Sequence, residues 1–269
     1  NLTINATSGT FTVTQDGAFT LGAGSLIKKE VGTLILSRAN SYTGSTVIDD
    51  GTLLLSSGST LPGLTAVSLA RASSTLDLNG TSQHIGSLGG SGTIQLGAGT
   101  LWATQSVNGT FSGTITGTGT GNLTKDGPAT LTLTGSNSYA GGTTISDGVL
   151  TVGNASALGL GGAVTVTSGG TLNIADGITL AAGTPISLSG TLRGTGNAVY
   201  DGTVTLAAAT ARIETPIASD TLTLGAAMDG SSALTKIGAG TLKLSGANSY
   251  SGSTAINGGT VLLNSSSTL

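Results

Sequence analysis

Carboxylates, lysines, tyrosines and a single histidine are the groups of this 269-residue chain that could carry chemistry, and their spacing narrows the options quickly. A pair of carboxylates facing one cleft would suit polysaccharide or glycoside cleavage. Asp49 and Asp50 are adjacent, so in a strand they point to opposite sides. Asp126, Asp147, Asp176, Asp201, Asp220 and Asp229 lie mostly beside glycine, as turn residues do. His84 is the only histidine and there is no cysteine, which leaves no two-histidine or thiolate metal site and no disulfide. The run from Gly89 to Leu96 is similar to the start of a calcium-binding nonapeptide roll, but Ile94 stands where the liganding Asp would be. No serine sits in a Gly-x-Ser-x-Gly elbow. No catalytic, cofactor-binding or metal-binding residue is assigned, and no cofactor is implied.

What does recur is a set of polar residues: Lys28, Lys125 and Lys236; Asn40, Asn137 and Asn248; Tyr42, Tyr139 and Tyr250; Gly44, Gly141 and Gly252. The lysines, each at a strand start, read either as sites for an anionic glycan or as solvated gatekeepers against aggregation. The Asn-Ser-Tyr triplets read as a ligand register or as turn chemistry, with Asn bonding its own turn and the following glycine releasing the chain. Tyrosines on copies four or five rungs apart would lie ~20 Å from one another, so only a long ligand could stack on two of them. Trp102 is the only tryptophan. Sequons at Asn79, Asn108 and Asn122 are expected by chance in so Asn- and Thr-rich a chain.

These residues are carried by a segment that occurs three times, over 26–55, 123–152 and 234–263, with spacers of unequal length between the copies. Within each copy an apolar pair recurs nineteen positions later: Leu34 and Leu36 as Leu53 and Leu55, Leu131 and Leu133 as Leu150 and Val152, Leu242 and Leu244 as Val261 and Leu263. An offset of that size, with strand-like alternation such as Thr130-Leu131-Thr132-Leu133, predicts a parallel β-helix with these pairs on adjacent rungs ~4.8 Å apart. The spacers hold further short alternating runs, among them Thr10 to Thr14, Thr75 to Leu78, Thr93 to Leu96 and Thr221 to Leu224. The whole chain, 1–269, is therefore read as one all-β solenoid of about 13 coils, with no internal boundary.

Composition agrees. Charged residues are 8% of the chain, Gly numbers 46 and mean hydropathy is +0.30, which fits neither an ordinary globular domain nor a disordered one. A pI near 4.8 with nine scattered Lys and Arg excludes a nucleic-acid footprint. No apolar run is long enough to cross a bilayer as a helix, so no membrane insertion by this segment is expected.

The order Thr-Leu-x-Leu, Asn-Ser-Tyr-x-Gly-x-Thr, Gly-x-Leu resembles the autotransporter-associated β-strand repeat, also called the passenger-associated transport repeat. The three copies cover about a third of the chain. The resemblance implies a right-handed parallel β-helix, exported through periplasm and outer membrane and held at the cell surface or secreted, with the repeat helping the passenger fold during secretion. Neither a signal peptide nor an outer-membrane barrel is seen, and the reading is of a piece of a longer passenger. The expected function is non-enzymatic: a surface stalk with a role in adhesion to a host surface protein or glycan, or in self-association through side or ends. The alternative is the scaffold of an enzyme passenger, a protease or polysaccharide-cleaving protein, whose catalytic site lies elsewhere.

Overall fold

The computed structural model describes residues 1–6 and 12–264. Every strand pairing is parallel and no helix occurs among the described residues. The chain winds as a β-solenoid of about 12 turns, close to the 13 expected, each of roughly 21 residues; at ~4.8 Å per rung this is a rod on the order of 60 Å. The expected run from Thr10 to Thr14 falls partly outside the described residues, and its described part is the strand Thr12–Thr14.

Each turn has three sides. One is a ladder that runs without a break from Leu2–Asn5 through Leu26–Lys29, Gly109–Phe111 and Leu234–Ile237 to Thr254–Ile256. A second runs from Gln83–Ile85 to Met228–Gly230. The third is in two pieces, a six-stranded sheet from Thr12–Thr14 to Thr114–Thr116 and a five-stranded one from Thr179–Leu180 to Thr260–Leu263. Alternation dictates what faces in. Leu34, Leu53, Leu76, Ile94 and Ile115 are register partners on the third side, and all are completely buried. Burying each is worth ~1.5–3 kcal/mol, which offsets the backbone entropy of a turn only when neighbouring turns stack.

The nineteen-residue pairs lie on adjacent rungs in all three copies. The copies do not, however, sit on the same sides. The strand holding Lys28 and the one holding Lys236 belong to the first ladder, whereas Asn122–Asp126, which holds Lys125, belongs to the second. The middle copy is turned by one side about the axis. In every copy the Asn-Ser-Tyr segment takes the place a strand would occupy on the remaining side, where its backbone still bonds the turn below: Ser41 N to Phe19 O, Ser138 N to Ile115 O and Ser249 N to Met228 O, at 3.1, 2.9 and 2.8 Å. That is why the third side is interrupted at the middle copy.

Candidate functional site

The repeated polar residues converge inside the solenoid, not on its surface. Lys28, Lys125 and Lys236 have no exposed area, which corrects the expectation of a solvated gatekeeper or glycan-binding lysine. Each follows a buried leucine by two positions, so it points inward like its neighbours: Lys28 stacks between Ile4 and Ile48, Lys125 between Ala103 and Ile145, Lys236 between Ile213 and Ile256. The stems complete aliphatic columns, and the ammonium groups reach a corner of the turn.

There each ammonium donates to three backbone carbonyls. Lys125 Nζ lies 2.9 Å from Asp126 O, 2.7 Å from Gly127 O and 2.8 Å from Asp147 O. Lys28 meets Lys29, Glu30 and Asp50 carbonyls at 2.9, 2.6 and 2.9 Å, and Lys236 those of Ile237, Gly238 and Gly258 at 2.8, 2.9 and 3.1 Å. Two carbonyls belong to the lysine's own turn and the third to the next. Asp126 O also accepts from Gln105 N of the preceding turn, so one cation ties three turns. The cradle forms because the chain passes through left-handed backbone at Glu30 (φ 64°), Gly127 (φ 75°) and Gly238 (φ 80°). Glu30 stands where the other copies have glycine, and a side chain in that region costs ~1–2 kcal/mol. Glu30→Gly is expected to stabilise the chain by about 0.5–1 kcal/mol, net of the added freedom of the unfolded chain, as read by urea denaturation.

Asn40 and Asn137 connect turns in both directions. Asn40 Oδ1 accepts from Phe19 N at 2.9 Å while its Nδ2 donates to Thr60 O at 3.1 Å; Asn137 Oδ1 accepts from Ile115 N at 2.8 Å while its Nδ2 donates to Ala157 O at 2.6 Å. Asn248 Oδ1 accepts from Met228 N at 2.9 Å. Asn40 Nδ2 also donates within its own turn, to Arg38 O at 2.9 Å, as expected of a turn residue, but none of the three asparagines takes the left-handed backbone. Tyr42 and Tyr139 are buried and Tyr250 is 7% exposed, so none can stack on a sugar; their hydroxyls pair with Thr46, Thr143 and Thr254 Oγ1. Gly44, Gly141 and Gly252 are not left-handed either. A Cβ on Gly141 would lie 2.3 Å from Gly121 O, on Gly44 2.3 Å from Gly24 O and on Gly252 2.3 Å from Ser232 O, so glycine is required by the approach of the turn below.

Burial sets the titration behaviour of these groups. It pushes the Tyr42 hydroxyl up to about 12, against the bond from Thr46, and pushes Tyr139 and Tyr200 up as well. It pushes Lys125 down to about 8, against the attraction of Asp147 and Asp126, and lowers Lys28 and Lys236. A raised tyrosine contributes stability that is complete below its ordinary value of 10 and is lost as pH climbs toward the folded value. For Tyr42 that loss is about 3 kcal/mol. Lys125 works in the opposite sense, because the folded chain holds its proton less tightly: its contribution rises between pH about 8 and its ordinary 10.5. Thermal unfolding followed by circular dichroism is expected to show a midpoint that rises between pH ~8 and ~10, as Lys125 gives up its proton, and drops beyond it as the tyrosines ionise.

Several carboxylates are taken up by backbone or by arginine. Asp220, buried, accepts from Gly196 N and Ile217 N at 2.8 and 3.0 Å, and Asp176 from Asn197 N at 2.7 Å. Asp49 pairs with Arg71 at 3.3 Å, and Glu214 with Arg193 at 2.7 Å on the adjacent rung. His84 and Trp102 are rung partners on the outer face, with His84 Nε2 2.7 Å from Thr104 Oγ1. Among the described residues no three His, Asp or Glu side chains gather as a metal site would require, and no helix is long and apolar enough to cross a membrane. Sequence reasoning missed three buried glutamines that act as internal backbone mimics. Gln105 Oε1 accepts from Leu88 N at 2.8 Å, Gln83 Oε1 from Leu61 N at 2.9 Å, and Gln15 Nε2 donates to Asn40 Oδ1 at 2.6 Å. The alternation Gln83-His84-Ile85 carried the signal, since it puts Gln83 on the side of Ile85.

The passenger-associated-transport-repeat model matches the chain three times, at 26–55, 123–152 and 234–263, the segments whose lysine cradles and asparagine bridges have just been described. The solenoid thus carries three passenger-associated transport repeats. Among curated proteins, the passenger-repeat chain is similar to the adhesin BmaC autotransporter of Brucella suis biovar 1 (strain 1330), 38% identical over 290 residues covering 95% of this chain. It spans 8% of the length of that relative. No solved structure matches it.

Proposed function

We propose that this chain is a non-enzymatic β-helical segment of an autotransporter passenger, located at the cell surface or secreted, that acts as a rigid stalk and takes part in adhesion or self-association. The observation that carries the reading is the use made of its polar groups: the repeated Lys, Asn and Tyr, with Asp220, are withdrawn from the surface, and the lysines, asparagines and Asp220 fasten one turn to the next. What faces outward is sheet, lined with threonine and serine. Similarity to a protein named as an adhesin supports the same reading. The single boundary-free domain over 1–269 belongs to this proposal, as does the role of the repeat in secretion-coupled folding. Three carbonyls closing on one lysine only when the next turn arrives would make each copy a point where winding is secured.

The test is retention of beads coated with the purified chain on cultured mammalian cells, with light scattering on the same preparation. Adhesion predicts retention that soluble chain competes away; self-association predicts growth of mass with concentration. Beads that are not retained, from a chain that stays monomeric at every concentration, would leave only the stalk role.

A further inference from the structure

Where the third side is interrupted at the middle copy, the surface forms a notch of about 500 Å³. Its wall is a register column of outward side chains, Asp77, Gln95 and Thr116, on three successive rungs, with Ser138 of the Asn-Ser-Tyr segment taking the fourth. We infer that this notch binds a short, uncharged stretch of glycan, a ligand class that would serve the adhesive role proposed above and rests on it.

Four features of the notch point to that class. Its volume lies in the range of small-ligand sites, roughly 300–1,000 Å³. Its side chains are one carboxylate, amides and hydroxyls, the donor and acceptor set that reads neighbouring sugar hydroxyls. A single carboxylate with no basic residue in the lining gives an anion nothing to pair with, and one acid group is too few for a divalent cation. The rungs repeat at ~4.8 Å, close to the length of one pyranose residue, so successive sugars can meet successive rungs. The notch is also held in shape. Asp77 Oδ1 accepts from Asn79 N at 2.8 Å, and Asn79 (φ 48°) and Gly97 (φ 58°) turn the chain at its lip. Gly117 keeps the floor low, since a Cβ there would lie 3.1 Å from Tyr139 Cβ. The buried tyrosine of the repeat thereby supports the site without touching the ligand. No aromatic ring lines the notch, so affinity without stacking should be weak, on the order of 1 mM, and usable at a surface through many copies.

Saturation-transfer NMR on the purified chain tests this, using uncharged trisaccharides of glucose, galactose and mannose beside sialylated and sulfated ones. Signal is expected from at least one uncharged sugar. It should fall about fivefold in Gln95→Ala with Asp77→Asn and vanish in Thr118→Trp, which fills the notch, while Thr205→Trp on another side leaves it unchanged. All the altered positions are exposed or half-buried, and circular dichroism verifies the fold of each variant. No signal from any uncharged sugar at millimolar concentration, an undiminished signal in Thr118→Trp, or a preference for charged sugars each overturns the inference. Beads that hold cells while the sugars give no signal would sink this site and spare the adhesive reading; sugar binding without cell retention would do the reverse.

Discussion

Lys125→Met is expected to lower the stability of the solenoid by about 2–5 kcal/mol, although it keeps the length and most of the apolar stem of the side chain. The expectation runs against a general result, that a buried charge replaced by an apolar isostere is often neutral or stabilising. The difference lies in what the ammonium leaves behind. Asp126 O retains Gln105 N as a donor, but Gly127 O and Asp147 O face the cradle, and methionine offers them nothing. Each buried acceptor so stranded costs ~1–3 kcal/mol. Lys125 also sits in the middle of the array, where turn-to-turn coupling transmits cooperativity. Urea unfolding should therefore shift to lower midpoint and broaden or split, as the two halves part. Lys29→Met, at the exposed neighbour of Lys28, should change the midpoint by less than about 0.5 kcal/mol. A Lys125→Met chain as stable as the original would mean the three carbonyls find other donors and that the cation fastens nothing.

The lysines also show how far the sequence could be read. The period of two that puts Leu34 over Leu53 equally puts Lys125 on the inward side with Leu123, so the location of the cradle was present in the pattern. The general habit of lysine, to lie in water, pointed the other way, and only the left-handed corners at Gly127 and Gly148, which turn carbonyls inward, decide between the two. The solenoid and the stacking of the paired leucines were legible because a nineteen-residue offset repeated three times fits few arrangements besides stacked turns. The asparagine bridges were not, because they join residues about twenty positions apart through turns whose length varies, as Asn137 does with Ile115 and Ala157. The rotation of the middle copy by one side depends on the summed length of the intervening turns, which no local pattern records. The notch at Gln95 follows from that rotation and was equally hidden.

Gly141→Ala is expected to cost about 3 kcal/mol or more, an effect out of proportion to one methyl group. Strand alternation and turn chemistry both suggest that glycine follows Asn-Ser-Tyr to free the backbone, in which case asparagine would substitute tolerably. The geometry says otherwise. Gly141 does not have positive φ; a Cβ there would meet Gly121 O at 2.3 Å and Gly121 C at 2.8 Å, both backbone atoms of the turn below. Backbone in a hydrogen-bonded ladder cannot step aside as a side chain can, so relief requires parting two turns at the point where Gly141 N bonds Gly121 O at 3.1 Å. Gly141→Asn should therefore be at least as damaging as Gly141→Ala. Gly183 supplies the contrast: nothing lies within 4 Å of its would-be Cβ and its φ is not positive, so Gly183→Ala should gain about 0.4–1 kcal/mol by restricting the unfolded chain. Thermal and urea unfolding of the three variants separate the two accounts. Tolerance of asparagine at Gly141 would return that glycine to turn chemistry, whereas loss in both Gly141 variants with gain at Gly183 assigns it to the contact between turns.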